Sequence, residues 1–177
     1  MHCIDKAYIS VSAFDIRAFY NKFSSFPKFI ANFFWTYILI FIEVDGGYRE
    51  SHGYMGIGVS LYVDGNLTAQ ISRSIRGGSS IDAEMMAIAH ALKLAVLVGA
   101  KEVYLATDCR SCIDILNNNV KSTKVRKILS KTINSIREAN PRFKLIWMGR
   151  DSVSTAHELS FLAMERYRKI LGFPGLK

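Results

Sequence analysis

Phe41-Ile42-Glu43-Val44-Asp45-Gly46-Gly47 is the stretch on which the reading of this 177-residue chain turns. An apolar run reaches a carboxylate, Asp45, and two glycines follow at once. The pattern is that of a buried strand delivering an acid to a sheet edge, then a turn that lets another group approach the backbone closely. A carboxylate so placed costs desolvation free energy unless a cation or several donors compensate it. Glu43, two residues earlier, shares the same face of the strand and needs a partner that the sequence does not name.

Working outward, Tyr37 to Val44 is expected as the strand itself. Tyr54 to Val63 alternates with small residues, Asp64-Gly65-Asn66 is a hairpin turn, and Leu67 to Ile75 returns as the partner strand. A three-strand meander therefore opens the domain. Gly77-Gly78-Ser79-Ser80 breaks the pattern and starts a helix over Asp82 to Val98, with Ser79 or Ser80 as cap and Asp82 and Glu84 in the first turn. So apolar a helix packs across a sheet.

Lys101 to Thr107 is a second strand that ends in an acid, Asp108, and the strand-helix-strand order implies parallel pairing, most simply with the first strand. A short helix over Arg110 to Leu116, an amphipathic helix over Thr123 to Ala139, a last strand over Phe143 to Met148 and a closing helix from Ser154 to about Leu171 complete the order. Upstream, Ala13 to Phe23 has helical periodicity. Residues 1–36 are set apart as a leader of uncertain role and 37–177 as the domain.

Half the residues are hydrophobic and 21% are charged, which supports a real core and excludes global disorder. Phe29 to Val44 is apolar, but Asn32, Thr36 and Glu43 interrupt it, so no stable membrane span is expected and the chain is read as intracellular. The three cysteines lack a second zinc-spaced pair, and Cys109-x-x-Cys112 is read as a thiol pair in a reducing compartment. Charge is uneven. Residues 1–117 carry 10 Lys/Arg against 11 Asp/Glu, or −1, and residues 118–177 carry 13 against 4, or +9, which sum to the net +8. A basic half points to polyanions, nucleic acid before membrane.

Two strands each end in an aspartate, and the helix joining them carries Glu84 in its first turn. Asp45, Glu84 and Asp108 would then converge at one sheet edge, where three carboxylates repel unless hard cations sit among them. Two Mg²⁺ ions in such a site can activate water and stabilise a leaving oxygen in phosphodiester hydrolysis. Taken singly, each acid also reads as an ordinary turn or first-turn residue.

The order β-β-β-α-β-α-α-β-α, with Val-Asp45-Gly-Gly, Asp82-Ala83-Glu84, Ala-Thr-Asp108 and Ala156-His157-Glu158-Leu159, resembles the ribonuclease H family over residues from about 38 to 170. It is especially similar to the ribonuclease H-like domains of plant genomes and their retroelements. The resemblance implies an α/β ribonuclease H-like fold: a mixed five-stranded sheet, an antiparallel three-strand meander plus parallel strands, flanked by helices. It also implies a metal-dependent endonuclease cutting the RNA strand of RNA–DNA hybrids, using two Mg²⁺ or Mn²⁺ ions and no small-molecule cofactor, acting as a monomer. Asp45, Glu84 and Asp108 match the central metal-binding acids. The fourth acidic position falls on His157, which can ligate a metal, carry a proton or have no catalytic role. Asp151 is the alternative fourth group, and Val153 stands where the family usually has Asn. Gly46, Ser80, Arg110, Lys121, Lys124 and Arg150 match nucleic-acid-contacting positions. The alternative is a domesticated binding domain that kept the acids and lost turnover. The order Glu43-x-Asp45 counts against the 3′–5′ exonucleases of the same superfamily, which open with Asp-x-Glu.

Overall fold

Alternation along the first core strand assigns its two faces to two different helices. Ile40, Ile42 and Val44 are fully buried in the main core, while Glu43 and Asp45 point the other way. The computed structural model describes residues 8–11, 39–98, 100, 102–117 and 142–170, with positions 127, 130, 131, 133, 134 and 138. Its strands are β1 (Tyr8–Val11), β2 (Ile40–Arg49), β3 (Tyr54–Val63), β4 (Asn66–Arg76), β5 (Glu102–Thr107) and β6 (Arg142–Trp147). Its helices are α1 (Ser80–Leu97), α2 (Arg110–Leu116) and α3 (Ser154–Ile170). The expected helix over Ala13 to Phe23 lies outside the described residues. So does most of the one over Thr123 to Ala139, of which Ile133 is seen buried in the core.

The sheet order is β1-β4-β3-β2-β5-β6. The meander β2-β3-β4 is antiparallel, and β5 and β6 add in parallel, as the sequence predicts. A sixth strand, β1, pairs with β4 at the far edge and extends the five-stranded expectation. Asp64 and Gly65 both take positive φ, 50° and 78°, the conformation a tight hairpin needs between right-twisted strands. Ser79 caps α1: its hydroxyl accepts from the Asp82 N–H at 3.3 Å and donates to the Asp82 carboxylate at 2.7 Å. No helix among the described residues is long and apolar enough to cross a membrane.

The expected turn at Gly46-Gly47 is a correction. β2 runs straight through both glycines, which pair with Ile57 and Gly56, and the chain turns at Glu50–His52. The glycines are there because β2 is pressed from both sides. A Cβ on Gly46 would lie 2.6 Å from the Ala83 carbonyl oxygen of α1, and one on Gly47 would strike the Met164 side chain of α3.

Facing α3, β3 presents Gly56 and Gly58, and a Cβ at 58 would come 2.7 Å from the Ser160 nitrogen and closer still to the Ala156 carbonyl. α3 therefore lies on a groove of missing side chains. Ser72 on β4 ties its rim, donating to the Leu159 carbonyl at 2.8 Å. Glu43 finds its partners in the same layer: the Tyr62 hydroxyl and the Ala156 N–H oppose the burial that pushes its carboxyl up. One of its oxygens, Oε2, stays buried without a partner.

Candidate metal centre

Parallel pairing of β2 with β5 ends at Glu43↔Ala106. Continued by two residues, that register sets Asp45 beside Asp108. Thr107, fully buried, anchors the exit of β5, and its hydroxyl accepts from the Cys109 N–H at 3.1 Å. From the opposite face, α1 brings Glu84 over the same edge from just past its first turn, which holds Asp82 but not the expected Glu84, and Gly46 lets the helix backbone descend onto β2. One carboxylate oxygen from each of Asp45, Glu84 and Asp108 lies within 4.8 Å of the others. Asp45 is 4% exposed and Glu84 9%, and Asp108 is half-buried.

Three acids so close cannot all carry charge without compensation. Burial, and then the charges of Asp45, Cys109 and Asp108, push the Glu84 carboxyl from 4.5 up to about 10, opposed by a hydrogen bond from the Gly46 backbone N–H. Its Oε2 is buried with no partner. Asp108 is also raised, by burial first and Asp45 second, with Arg150 and His157 acting against the rise. The site is short of positive charge, and one of its buried oxygens has no partner. A hard divalent cation with oxygen preference fits that donor set.

Asp45 is held by α3. The Ser160 hydroxyl donates to Asp45 Oδ2, and His157 Nδ1 lies 3.4 Å from the same oxygen. Arg150, in the short turn Arg150–Val153 before α3, places Nη2 at 3.2 and 3.3 Å from the two His157 ring nitrogens. His157 therefore meets the rim of the cluster through Asp45, outside the trio whose oxygens converge. Asp151 is exposed, and Val153 is fully buried, so an apolar residue suits that position.

Of the other predicted contacts, Ser80 is exposed at the start of α1, and Arg110 lies over the Trp147 ring with its guanidinium carbon 4.7 Å from the centroid. Gly46 faces α1 and donates its N–H to Glu84. Lys121 and Lys124 lie outside the described residues. Cys109 caps α2, its sulfur accepting from the Cys112 N–H at 3.3 Å, and both side chains are thiols. Sequence reading missed Ser160 and Trp147. The signal for Ser160 was its spacing: three residues after His157 puts it on the same helical face.

A reverse transcriptase-like family model matches residues 43–163. Curated proteins yield no match. Similar solved structures include ribonuclease H1 of the halophilic archaeon Halobacterium salinarum, with TM-score 0.67 and 18% identity, covering 72% of this chain and 98% of that one. The N-terminal ribonuclease H domain of a Mycobacterium tuberculosis protein, solved as a fusion with maltose-binding protein, gives 0.69 and 22%, over 76% and 99%. A ribonuclease H1 isolated from compost by a metagenomic approach gives 0.65 and 26%, over 72% and 96%, and that enzyme has also been solved in complex with an RNA/DNA hybrid. With the family match spanning well over half of its length, and a sheet and helices that superpose on ribonucleases H, this chain belongs to the reverse transcriptase-like family and has the ribonuclease H fold.

Proposed function

We propose that this chain is a metal-dependent endonuclease that hydrolyses the RNA strand of RNA–DNA hybrids. The observation that carries the proposal is the Glu84 carboxyl, buried, unpartnered at one oxygen and pushed up to about 10 among two other acids. Asp45, Glu84 and Asp108 would hold two Mg²⁺ or Mn²⁺ ions. Bound there, such ions supply charge to a scissile phosphate and lower the pKa of water.

The remaining work belongs to the chain's own groups. Ser160 and the Gly46 N–H hold Asp45 and Glu84 in the positions from which one oxygen of each meets the cluster. His157, poised at the rim between Asp45 and Arg150, is assigned a supporting role in proton movement. Exposed Arg150 offers charge-assisted donors to a phosphate beside the cut. Ser80, Arg110, Lys121 and Lys124 are assigned to backbone contacts that give sequence-independent, salt-sensitive affinity. Recognition of the RNA strand would pass through its 2′-hydroxyls. The hybrid bound by the compost enzyme supports this choice of substrate.

The test is cleavage of end-labelled hybrid, duplex RNA and duplex DNA in Mg²⁺ and then Mn²⁺. Nicks confined to the RNA strand of the hybrid, lost in EDTA and in Asp45→Asn, are the expected result. The engagement of His157 with Arg150 at the fourth acidic position favours a second reading, a binding domain without turnover. Hybrid binding with no cleavage in either metal would select it, and neither binding nor cleavage would sink both.

Ser160→Ala removes a buried donor from Asp45 without touching the cluster itself. The Mg²⁺ concentration for half-maximal cleavage is expected to rise about tenfold, as when a group that orients a metal ligand is lost. An unchanged Mg²⁺ titration would reduce Ser160 to a packing residue.

A further inference from the structure

Trp147 is the last residue of β6, paired with Thr107 in the register that also delivers Asp108. The residue is 48% exposed, an unusual fate for a large aromatic at the end of a packed parallel strand. The indole N–H donates to the Asp108 carbonyl at 3.2 Å, which fixes the ring's orientation against the backbone of the acidic cluster. Over the ring lies the guanidinium of exposed Arg110. No carboxylate pairs with Arg110 among the described residues, so its planar fork of donors is held by the indole and otherwise faces solvent.

A fixed, half-exposed aromatic face with an unneutralised guanidinium on it matches one nucleotide of a strand: sugar or base against the ring, phosphate on the fork. A strand presented to the Asp108 carboxylate comes close to this surface, since Trp147 is bonded to the Asp108 backbone carbonyl. We infer that Arg110 and Trp147 form a nucleotide-contacting platform beside the acidic cluster, Arg110 taking a backbone phosphate and Trp147 packing on the same nucleotide. The inference rests on the nucleic-acid reading above, and its test separates the two.

Trp35 and Trp147 are the chain's two tryptophans, so W147F supplies the background for Trp147 emission. A fluorescein-labelled hybrid is titrated in Ca²⁺ while label anisotropy and tryptophan emission are followed together. The Trp147 share of emission should change along the anisotropy curve. W147A and R110A should each weaken binding about tenfold, the scale of a lost stacking or phosphate contact, with W147F much milder. Binding by anisotropy with Trp147 emission unchanged and W147A equal to the parent overturns the platform and leaves the proposed function standing. No anisotropy change at all overturns both. The emission arm requires no alanine variant, so a folding defect in W147A cannot decide the outcome.

Discussion

Glu84→Gln is expected to make the metal-free protein more stable and the enzyme inert. In the folded, metal-free chain the Glu84 carboxyl keeps its proton up to about 10, against 4.5 as its ordinary value. Between those two values the folded state holds a proton that the unfolded state has released, so stability falls as pH rises through this window. That is the opposite sign from a salt-bridged carboxylate. An amide is neutral at every pH and removes the penalty, so the gain over the parent should be small at pH 5 and larger at pH 8. Allowing for relaxation, about 1 kcal/mol or more is expected at pH 8, a rise in Tm of about 2–4 °C per kcal/mol for a chain of this size. On the proposed function, Mg²⁺ would bind only the folded state, so it should raise the parent's Tm and do much less for the variant. If the proposed function holds, hydrolysis should drop by about a thousandfold or more, since the lost carboxylate would no longer hold the cation that stabilises the transition state. Thermal melts at the two pH values with and without Mg²⁺ check the first part. A parent more stable than E84Q at pH 8 without metal would refute the electrostatic account of the site.

Gly58→Ala should damage the protein as a whole. The added methyl would meet the Ala156 carbonyl and the Ser160 nitrogen, both backbone, with no flexible side chain to yield. Overpacking of this kind costs about 1–3 kcal/mol where neighbours can shift, and a helix that must lift bodily belongs at the upper end. The same lift would withdraw Ser160 and His157 from Asp45, so activity should fall even at temperatures where the fold persists. Urea unfolding and hybrid cleavage, measured side by side, test both halves. A variant with parental stability and activity would mean that the groove is wider than described.

The three acids were legible in the sequence because each sits where a strong local pattern breaks. Asp45 and Asp108 follow β-rich apolar runs, and Glu84 is one of few charges on an apolar helix. What escaped depends on partners distant in the chain. Gly46-Gly47 carries the local signature of a turn, yet it is strand, because two helices more than thirty residues downstream press on its two faces. β1, Tyr8–Val11, is made of strand-favouring residues but at four residues is too short to stand out by pattern, and it is defined by pairing with β4 across some sixty residues of chain. Ser160 reads as any polar residue on an amphipathic helix until Asp45 is placed beneath it. The partner of Glu43 was likewise unreadable, since Tyr62 and Ala156 reach it from another strand and from α3.

The seating of α3 on glycine has a consequence for how this centre can change over time. Ala156 and Ser160 bear on β3 and Asp45, while residue 157 stands between them with its side chain directed at the rim and 40% exposed. The backbone contacts that seat the helix thus fall at Ala156 and Ser160, and position 157 adds only a long side-chain contact to Asp45. It is a socket: whatever side chain occupies it is delivered to the same place, whether it ligates, shuttles a proton or blocks. Exchange at that one residue would alter what meets Asp45 at the rim with little demand on the seating of the helix, while the glycines below it have no such freedom.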